Sequence, residues 1–526
     1  MQNKLPIGIQ GFEKIRNDNY IYIDKSEYIY KLVHESVPFF LSRPRRFGKS
    51  LLVSTLKAYW EGKKELFEGL KIIDLEKDNP DAWRAYPVFH FDFNGQNYLQ
   101  EGALENILDI HLKRWEEEYG LISEGKSFAE RFQELLITGY KRTGLRCVVL
   151  VDEYDKPLLE LVDNKELQDS NKAVFKGFFS SLKSFDEYIQ FVFIAGVTKF
   201  HKVSIFSDLN QLHDISLTDS YAGLCGITEQ ELRDNFESEI EALAQKNEYT
   251  IEECLSKFKA KYDGYHFSAN GVGVYNPFSL LSAFADKDFA SYWFSTGTPT
   301  FLIKQLKEEQ FDLSNFSDGS IYASDNILKD YTGDNLDEIP LLYQAGYLTI
   351  TAFDRETREY TLSFPNEEVK YGFLEGFMPV YVNKVGPGSG LDIFTLRRHV
   401  EAGSLDKIRD VFIGLFANIS YTLETDPFEH YFQMVIYLVF TLLGKFTTCE
   451  LHTYTGRIDC VLQAKKYIYL FEFKRDDTVD SAIEQIEANH YAEVFKGDER
   501  KIFKIGVTFD SKTRMLTDWK VVESIE

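Results

Sequence analysis

Long apolar runs and cysteine pairs are both missing from this chain of 526 residues. No stretch approaches the roughly 18 consecutive apolar residues of a membrane span, and the opening residues lack the layout of a signal peptide. Without a CxxC pair, the sequence indicates neither a zinc site nor a disulfide framework. We therefore expect a cytoplasmic protein with no membrane segment and with reduced thiols. The cysteines are Cys147, Cys225, Cys254, Cys449 and Cys460.

An excess of positive charge is missing as well, because the formal net charge is −24 at pH 7. That value argues against a protein coated in nucleic acid, since binding phosphates needs a basic surface. The charge is uneven, however, and residues 1–60 hold ten Lys and Arg against five Asp and Glu. A local basic site on an acidic body, and with it a DNA partner, therefore stays open.

The chain is longer than one core usually supports, and its patterns predict three parts. Strands alternating with helices over residues 1–215 predict an α/β domain with a three-layer, mostly parallel sheet. Residues 216–385 are mainly helical and include a helix, hairpin and helix at 339–375, the outline of a winged helix. Residues 385–390 are rich in glycine and predict a linker. The order α-β-β-β-α-β over 391–526 predicts a small α/β domain.

Three predicted elements are specific enough to be tested by the structure. The pattern of apolar residues predicts one helix over 228–246 and another over 479–495. It also predicts a last strand at about 502–508.

A phosphate-binding loop is predicted between a strand that ends at Ser42 and a helix over 50–60. A helix N-terminus offers unpaired N–H groups to phosphate oxygens, the lysine would reach the β- and γ-phosphates of ATP, and the serine would ligate Mg²⁺. Arginine stands where the usual pattern has its first glycine, and a surface Gly-Lys-Ser at a helix start is the alternative. The predicted nucleotide ligands are Arg43, Arg45, Arg46, Gly48, Lys49 and Ser50.

Two acids follow the apolar run Cys147–Val151, which predicts a buried strand. Asp152 at this strand end would hold Mg²⁺, and Glu153 would orient and polarise the attacking water. Thr198 ends the next predicted strand and would sense the γ-phosphate. The alternative for each is a polar turn after a strand.

A second constellation lies near the C-terminus, where two adjacent predicted strands place Asp459 within one residue of Glu472. Glu472 and Lys474 are two residues apart and so share a face of their strand. Two carboxylates could hold Mg²⁺ or Mn²⁺, with Lys474 beside the attacking water of a phosphodiester hydrolysis. The alternative is a structural salt bridge. Supporting groups are expected at Glu429, Gln485 and Tyr491.

The sequence resembles two known families. Its N-terminal motifs resemble a bacterial predicted AAA-ATPase-like family, whose own variant has Arg in place of the first glycine. Residues 427–495 resemble the PD-(D/E)XK nuclease-like, restriction-endonuclease-like domain, with Ile458 in place of the Pro of the superfamily name. The resemblance implies ATP binding and a nuclease fold. The motifs are Leu5–Gln10, Tyr22–Lys25, Arg43–Ser50, Val151–Pro157 and Tyr262–Tyr265, and the nuclease positions are Glu429, Asp459, Glu472, Lys474, Gln485 and Tyr491.

Three hypotheses follow from these motifs. The first is an ATPase coupled to a DNA-directed nuclease, in which the nucleotide state moves the helical middle region and controls access to the C-terminal site. The second is a nucleotide-dependent switch whose C-terminal domain is an inactive binding module. The third is an interaction protein that keeps both folds without chemistry. No arginine finger is evident, which leaves a homo-oligomer open.

Overall fold

The chain forms two compact units in the computed structural model. The N-terminal unit comprises Met1–Phe301 and Tyr322–Val369, and the C-terminal unit comprises Leu302–Ile321 and Lys370–Glu526. The predicted linker at 385–390 lies outside the described residues, and the three predicted domain boundaries remain predictions. The structure describes residues 4–35, 37–199, 212–294, 306, 321–324, 328, 338–381, 393–417, 428–444, 448–454, 457–513 and 515–523.

A five-stranded parallel sheet forms the centre of the N-terminal unit, with the order β2-β3-β4-β1-β5. Every residue of β3 is buried, as expected for a strand covered on both faces. The predicted parallel α/β fold is therefore confirmed. The strands are β1 (Phe39–Ser42), β2 (Val88–Asp92), β3 (Cys147–Asp152), β4 (Ile189–Gly196) and β5 (His213–Asp214).

Helices surround this sheet and continue into the residues that follow it. The helix after β1, α3, lies against β3 and β4 and buries Leu52, Val53 and Leu56. No helix in the described part of the chain is both long and apolar enough to cross a membrane. The helices of this unit up to the hairpin region are α1 (Phe12–Asn17), α2 (Ser26–His34), α3 (Lys49–Trp60), α4 (Lys71–Leu75), α5 (Ala103–Tyr119), α6 (Phe128–Thr143), α7 (Lys156–Leu159), α8 (Lys165–Phe179), α9 (Ser181–Ser184), α10 (Glu229–Asn235), α11 (Glu237–Asn247), α12 (Ile251–Tyr262) and α13 (Pro277–Asp286).

The helices α10 to α13 share a core that also receives Ile21 and Ile23 from the N-terminal segment. The prediction of one helix over 228–246 is wrong at its centre. Phe236 is fully buried in this core and has a non-helical backbone, with φ −130° and ψ 26°. Burying this large side chain takes precedence over continuing the helix, so α10 and α11 are separate.

The predicted helix and hairpin of residues 339–375 are present as α14 (Glu338–Ala345), β7 (Thr349–Asp354) and β8 (Glu359–Ser363), followed by α15 (Glu367–Tyr381). A strand that the sequence pattern did not indicate, β6 (Ile321–Ser324), pairs with β8 to give the order β6-β8-β7. Gly264 supports this region from a distance in sequence. Its φ is +90°, and a β-carbon there would lie 2.0 Å from the carbonyl oxygen of Pro365, so only glycine fits.

A mixed five-stranded sheet forms the centre of the C-terminal unit, with the order β13-β12-β11-β10-β9. The strands β11 and β12 are parallel, and the other neighbours are antiparallel. Buried residues of α16, α17 and α18 pack on one face, and those of α19 pack on the other. The elements are α16 (Ile393–Glu401), α17 (Leu405–Ala417), α18 (Phe428–Gly444), β9 (Thr448–Tyr454), β10 (Arg457–Gln463), β11 (Tyr467–Arg475), α19 (Val479–Ala488), β12 (Lys501–Asp510) and β13 (Met515–Glu523).

Two predictions for the C-terminal unit need correction. The helix predicted over 479–495 ends at Ala488, because His490 adopts a left-handed backbone with φ +55° and begins a separate 3₁₀ turn. The strand predicted at 502–508 is not the last one, since β13 follows it. The residues of β13 are half-buried or exposed, so its apolar alternation is too weak to indicate a strand.

Candidate nucleotide and nuclease sites

The segment between β1 and α3 is a tight loop that ends at the N-terminus of α3. Gly48 caps the helix with φ +92°, in the left-handed region that favours glycine. A β-carbon at this position would meet no atom within 4 Å, so the requirement for glycine is purely conformational. The N–H groups in the first turn of a helix have no intrahelical acceptors and can bind an anion. The loop and the helix start therefore have the backbone geometry that the predicted phosphate cradle needs.

The Lys49 side chain is buried and folds back over the loop. Its Nζ donates hydrogen bonds to the carbonyl oxygens of Arg43, at 3.0 Å, and Pro44, at 3.1 Å. These bonds fix the ammonium group at the mouth of the helix. A phosphate held by the loop would meet that charge directly.

The three arginines of the loop have different environments. Arg45 and Arg46 line the adjacent cleft, where the guanidinium of Arg46 lies 5.0 Å from the ring centroid of Phe278. Arg43 is only 1% exposed, and its guanidinium donates to carbonyl oxygens of the protein, including that of Ser216. A nucleotide contact from Arg43 does not fit this geometry, because its guanidinium is buried against protein carbonyl oxygens and does not line the cleft.

The end of β3 brings acids to the phosphate loop. Asp152 is 3% exposed, and its carboxylate accepts a hydrogen bond from the N–H of Glu153 at 3.1 Å. Burial, opposed by Ser50 and Lys49 and reinforced by the charges of Glu153 and Asp92, raises the pKa of Asp152 to about 7. A nearby cation or metal would therefore stabilise the ionised form of Asp152.

Asp92 is an acid of this site that sequence reasoning missed. It ends β2, stands directly beside Asp152 in the parallel register and lines the cleft. The sequence could have indicated it, because Asp92 lies near the end of a predicted strand and the ends of parallel strands meet at one sheet edge. The order of the strands was needed to see that β2 and β3 are neighbours.

Glu153 turns into the cleft through an unusual backbone. Its φ is +55°, in the left-handed region that costs free energy for any residue with a β-carbon. Glu153 lines the cleft, whereas the next residue, Tyr154, is fully buried. Such strain occurs preferentially at functional sites, which agrees with the role predicted for this carboxylate.

Thr198 does not take the place predicted for it. It is buried, and its Oγ donates to Asp155 Oδ2 at 2.9 Å, while the backbone N–H groups of Thr198 and Val197 donate to the same oxygen at 2.7 and 3.0 Å. The hydroxyl is thus directed to Asp155 rather than to the cleft. Asp155, which sequence reasoning gave no role, connects the end of β3 to the end of β4.

A cleft of about 590 Å³ lies beside the phosphate loop and the start of α3, a volume typical of small-molecule sites. Its polar lining includes Lys49, Ser50, Asp92 and Glu153. Its apolar lining comes from the N-terminal segment, the residues before α10 and the start of α13. This mixed lining suits a molecule with a phosphate group and a flat apolar part. The apolar lining consists of Ile9, Ile23, Leu224, Ile227, Phe278 and Leu281.

The second candidate site lies on the hairpin of β10 and β11. Asp459 is the direct cross-strand partner of Glu472, one residue closer in register than predicted. Glu472 is fully buried, and Lys474 Nζ donates to its Oε1 at 2.9 Å. The same Nζ also donates to Oε1 of Gln485, which α19 brings to this face of the sheet. The structure therefore brings Glu472, Lys474 and Gln485 together around one ammonium group.

The remaining predicted nuclease positions lie around this hairpin. Glu429 is in α18, and the side chains of Glu429 and Asp459 lie outside the described part of the structure. Tyr491 begins the 3₁₀ turn after α19 and packs against the apolar cluster of Ile468 and Leu470. Its hydroxyl accepts from Asn489 Nδ2 at 3.5 Å, a weak contact.

Comparison with known proteins gives matches for both parts of the chain. Residues 6–206 match a family described as Predicted AAA-ATPase, and residues 427–519 match the PD-(D/E)XK nuclease superfamily. The chain is also 34% identical over 538 residues to "Uncharacterized protein in vnfD 5'region" of Azotobacter chroococcum mcd 1, covering 100% of this chain and 99% of the relative. The protein belongs to this AAA-ATPase-like family. Its C-terminal domain is of the PD-(D/E)XK superfamily.

The donors of the AAA-ATPase-like protein suit a divalent metal at both sites. Ser50 and Asp152 offer a hydroxyl and a carboxylate near each other, and Mg²⁺ prefers such oxygen ligands. Within the described residues, no three His, Cys, Asp or Glu side chains are grouped around one point. Mg²⁺ commonly takes one or two protein oxygens and completes its shell with phosphate and water. At the hairpin, the fully buried carboxylate of Glu472 is of the same chemical type.

Asp155 gives the AAA-ATPase-like protein a testable pH dependence. Burial, and next the charge of Glu153, raise the pKa of Asp155 from an ordinary 3.8 to about 6. The folded protein then keeps a proton that the unfolded chain has lost, so stability falls as the pH rises from about 4 to about 6. Asp155→Asn lacks this titration and should gain up to about 3 kcal/mol relative to wild type over that interval.

Calorimetric unfolding of the full chain and of Asp155→Asn at several pH values between about 4 and 7 measures this difference. If the free energies of unfolding of the two proteins changed with pH in parallel, Asp155 would titrate with an ordinary pKa. The rise in pKa assigned to its burial would then be wrong.

Proposed function

We propose that this protein binds and hydrolyses Mg²⁺-ATP in the N-terminal cleft and that its C-terminal domain cleaves DNA with Mg²⁺ or Mn²⁺. The observation that carries the proposal is the arrangement around Ser50. Ser50 and Lys49 lie close enough to Asp152 to lower the pKa of its carboxylate, and Lys49, Ser50 and Glu153 line one cleft. A phosphate-binding lysine, a metal-binding pair and an acid for water activation thus converge.

In this proposal each residue of the cleft has a distinct task. The loop and the start of α3 bind the phosphates, and Lys49 neutralises the β- and γ-phosphate charge. Ser50 and Asp152 would hold Mg²⁺, which supplies charge neutralisation of the phosphoryl group when bound. Glu153 orients the attacking water and accepts its proton. Arg45 and Arg46 add positive charge at the mouth of the cleft.

The base of the nucleotide would pack against the apolar residues that line the cleft. Flat aromatic bases pack well against aliphatic side chains such as Ile9 and Ile227, and against the ring of Phe278. The N-terminal segment, which carries the motif Leu5–Gln10, would then help to select the nucleotide.

For the C-terminal domain we propose that Asp459 and Glu472 hold the metal. The metal supplies Lewis-acid activation of water and of the phosphodiester when bound. Lys474 lies beside Glu472 and would position the attacking water or stabilise the phosphorane charge, while Gln485 orients the lysine. Glu429 and Tyr491 are proposed as supporting groups for this site.

We further propose domains at 1–215, 216–385 and 391–526, a cytoplasmic location, and control of DNA cleavage by the nucleotide state. A ring or dimer that supplies an arginine finger in trans remains part of this proposal. Such a finger would stabilise the charge that develops during phosphoryl transfer.

Two assays on the wild-type full chain test the proposed function. One measures phosphate release from ATP with Mg²⁺, and the other measures conversion of supercoiled plasmid to nicked or linear DNA with Mg²⁺ or Mn²⁺. Both activities are expected, and cleavage is expected to depend on ATP. Turnover of ATP without cleavage would favour the nucleotide-dependent switch. Absence of both activities would favour the interaction protein.

A further inference from the structure

Arg43 stands where an ordinary phosphate loop has glycine, and its side chain is anchored in protein rather than in the cleft. Its Nη1 donates to the carbonyl oxygens of Ser42, at 2.9 Å, and Ser216, at 2.7 Å, and its Nη2 donates to that of Tyr221 at 3.2 Å. The guanidinium carbon lies 4.2 Å from the ring centroid of Phe267. Burying a cation is costly unless it is hydrogen-bonded, and these contacts offset the cost.

The main chain of Arg43 is fixed as well. Its N–H donates to the carbonyl oxygen of Gly196 at the end of β4, at 3.1 Å. Its own carbonyl oxygen accepts from Lys49 Nζ at 3.0 Å, beside the similar bond from Lys49 to Pro44. One residue therefore connects the 216–221 segment, the central sheet and the ammonium group of the phosphate-binding lysine.

We propose that Arg43 is a positioning residue that acts through Lys49. Its anchored side chain fixes the carbonyl oxygens of Arg43 and Pro44, and these oxygens hold the Lys49 ammonium group where the phosphates arrive. This inference rests on the proposed ATP site. By the usual loop pattern, Arg43→Gly would restore the missing glycine and favour ATP binding. We expect weaker binding instead, because the substitution removes the anchor and frees the backbone.

ATP affinity in the full chain tests this role. Arg43→Lys keeps the charge but loses the planar fork that reaches several carbonyl oxygens at once, and ATP should bind about tenfold more weakly. Arg43→Gly should weaken ATP binding by at least the same factor. Because the effect passes through Lys49, Arg43→Lys should cause no further loss in a Lys49→Ala background, as a double-mutant cycle requires of coupled residues.

Arg131→Lys is the matched control. Arg131 is also a buried arginine, with bonds to Glu116 and Asp109, but it does not line the cleft. Its replacement should lower the unfolding temperature and leave ATP affinity unchanged. If Arg43→Lys fails to fold, Phe267→Leu removes one face of the anchor without altering the loop, and about threefold weaker ATP binding is then expected.

The outcomes separate this inference from the proposed function. A wild-type chain that binds no ATP would overturn both. If the wild type binds ATP and Arg43→Lys binds it with the same affinity, only the role of Arg43 is overturned. The same holds for Phe267→Leu where that variant replaces Arg43→Lys. The role of Arg43 would also be overturned if Arg43→Lys weakened ATP binding equally in the wild-type and in the Lys49→Ala background. The effect would then not pass through the lysine.

Discussion

Lys49→Ala is expected to weaken ATP binding by about 10- to 100-fold and to reduce ATP hydrolysis by at least about 100-fold. The side chain is buried at the mouth of α3, where its charge is held by two carbonyl oxygens beside the predicted phosphate position. A methyl group in its place removes the charge-assisted contact with the β- and γ-phosphates. Isothermal titration with Mg²⁺-ATP and a phosphate-release assay measure the two effects.

Two variants control this prediction. Lys57→Ala changes a partly exposed lysine of the same helix that pairs with Glu61, and it should leave both quantities unchanged. Glu153→Gln should keep ATP binding within about threefold but reduce hydrolysis by about 100-fold, because the amide cannot accept the proton of the attacking water. A Lys49→Ala variant that hydrolyses ATP like the wild type would place the ATPase site elsewhere.

Lys474→Ala is expected to reduce DNA cleavage by about 100-fold or more. Lys474 Nζ bridges the fully buried Glu472 and Gln485, so it lies within hydrogen-bonding distance of the carboxylate proposed to bind the metal. Removing it takes away the group that would position the attacking water. It also leaves the Glu472 carboxylate without its cation, which is costly at a buried position. Plasmid nicking with Mn²⁺ measures the loss.

Lys504→Ala provides the matched control for the nuclease site. Lys504 is another buried lysine, on the neighbouring strand β12, and pairs with Glu487 at 2.6 Å. Its removal perturbs the same sheet without touching the proposed metal ligands, so cleavage should persist. Cleavage that survives in Lys474→Ala would have to come from another site or another protein.

The positions of both sites could largely be predicted from local patterns. Asp152 and Glu153 follow an apolar strand, and the ends of parallel strands meet at one edge of a sheet. The register of Asp459 and Glu472 was predicted to within one residue, because a short hairpin leaves little freedom in pairing. In each case neighbouring residues in sequence carry most of the information.

The roles of Arg43 and Thr198 could not be predicted in the same way. Apart from the adjacent Ser42, the side-chain partners of Arg43 are Ser216, Tyr221 and Phe267, more than 170 residues further along the chain. The hydroxyl of Thr198 is held by Asp155, from the neighbouring strand end. Both assignments depend on which distant segments pack together, and the spacing of a motif does not contain that information.

We propose that the loop around Lys49 and the strand end at Asp152 bind the same triphosphate. Hydrogen exchange of the full chain, followed by mass spectrometry with and without Mg²⁺-ATP, tests it most directly, because ligand contact slows exchange of nearby backbone N–H groups. Slower exchange is expected both in residues 45–52 and in residues 152–156. Protection of neither segment, or of only one of them, under saturating Mg²⁺-ATP would contradict the proposed site.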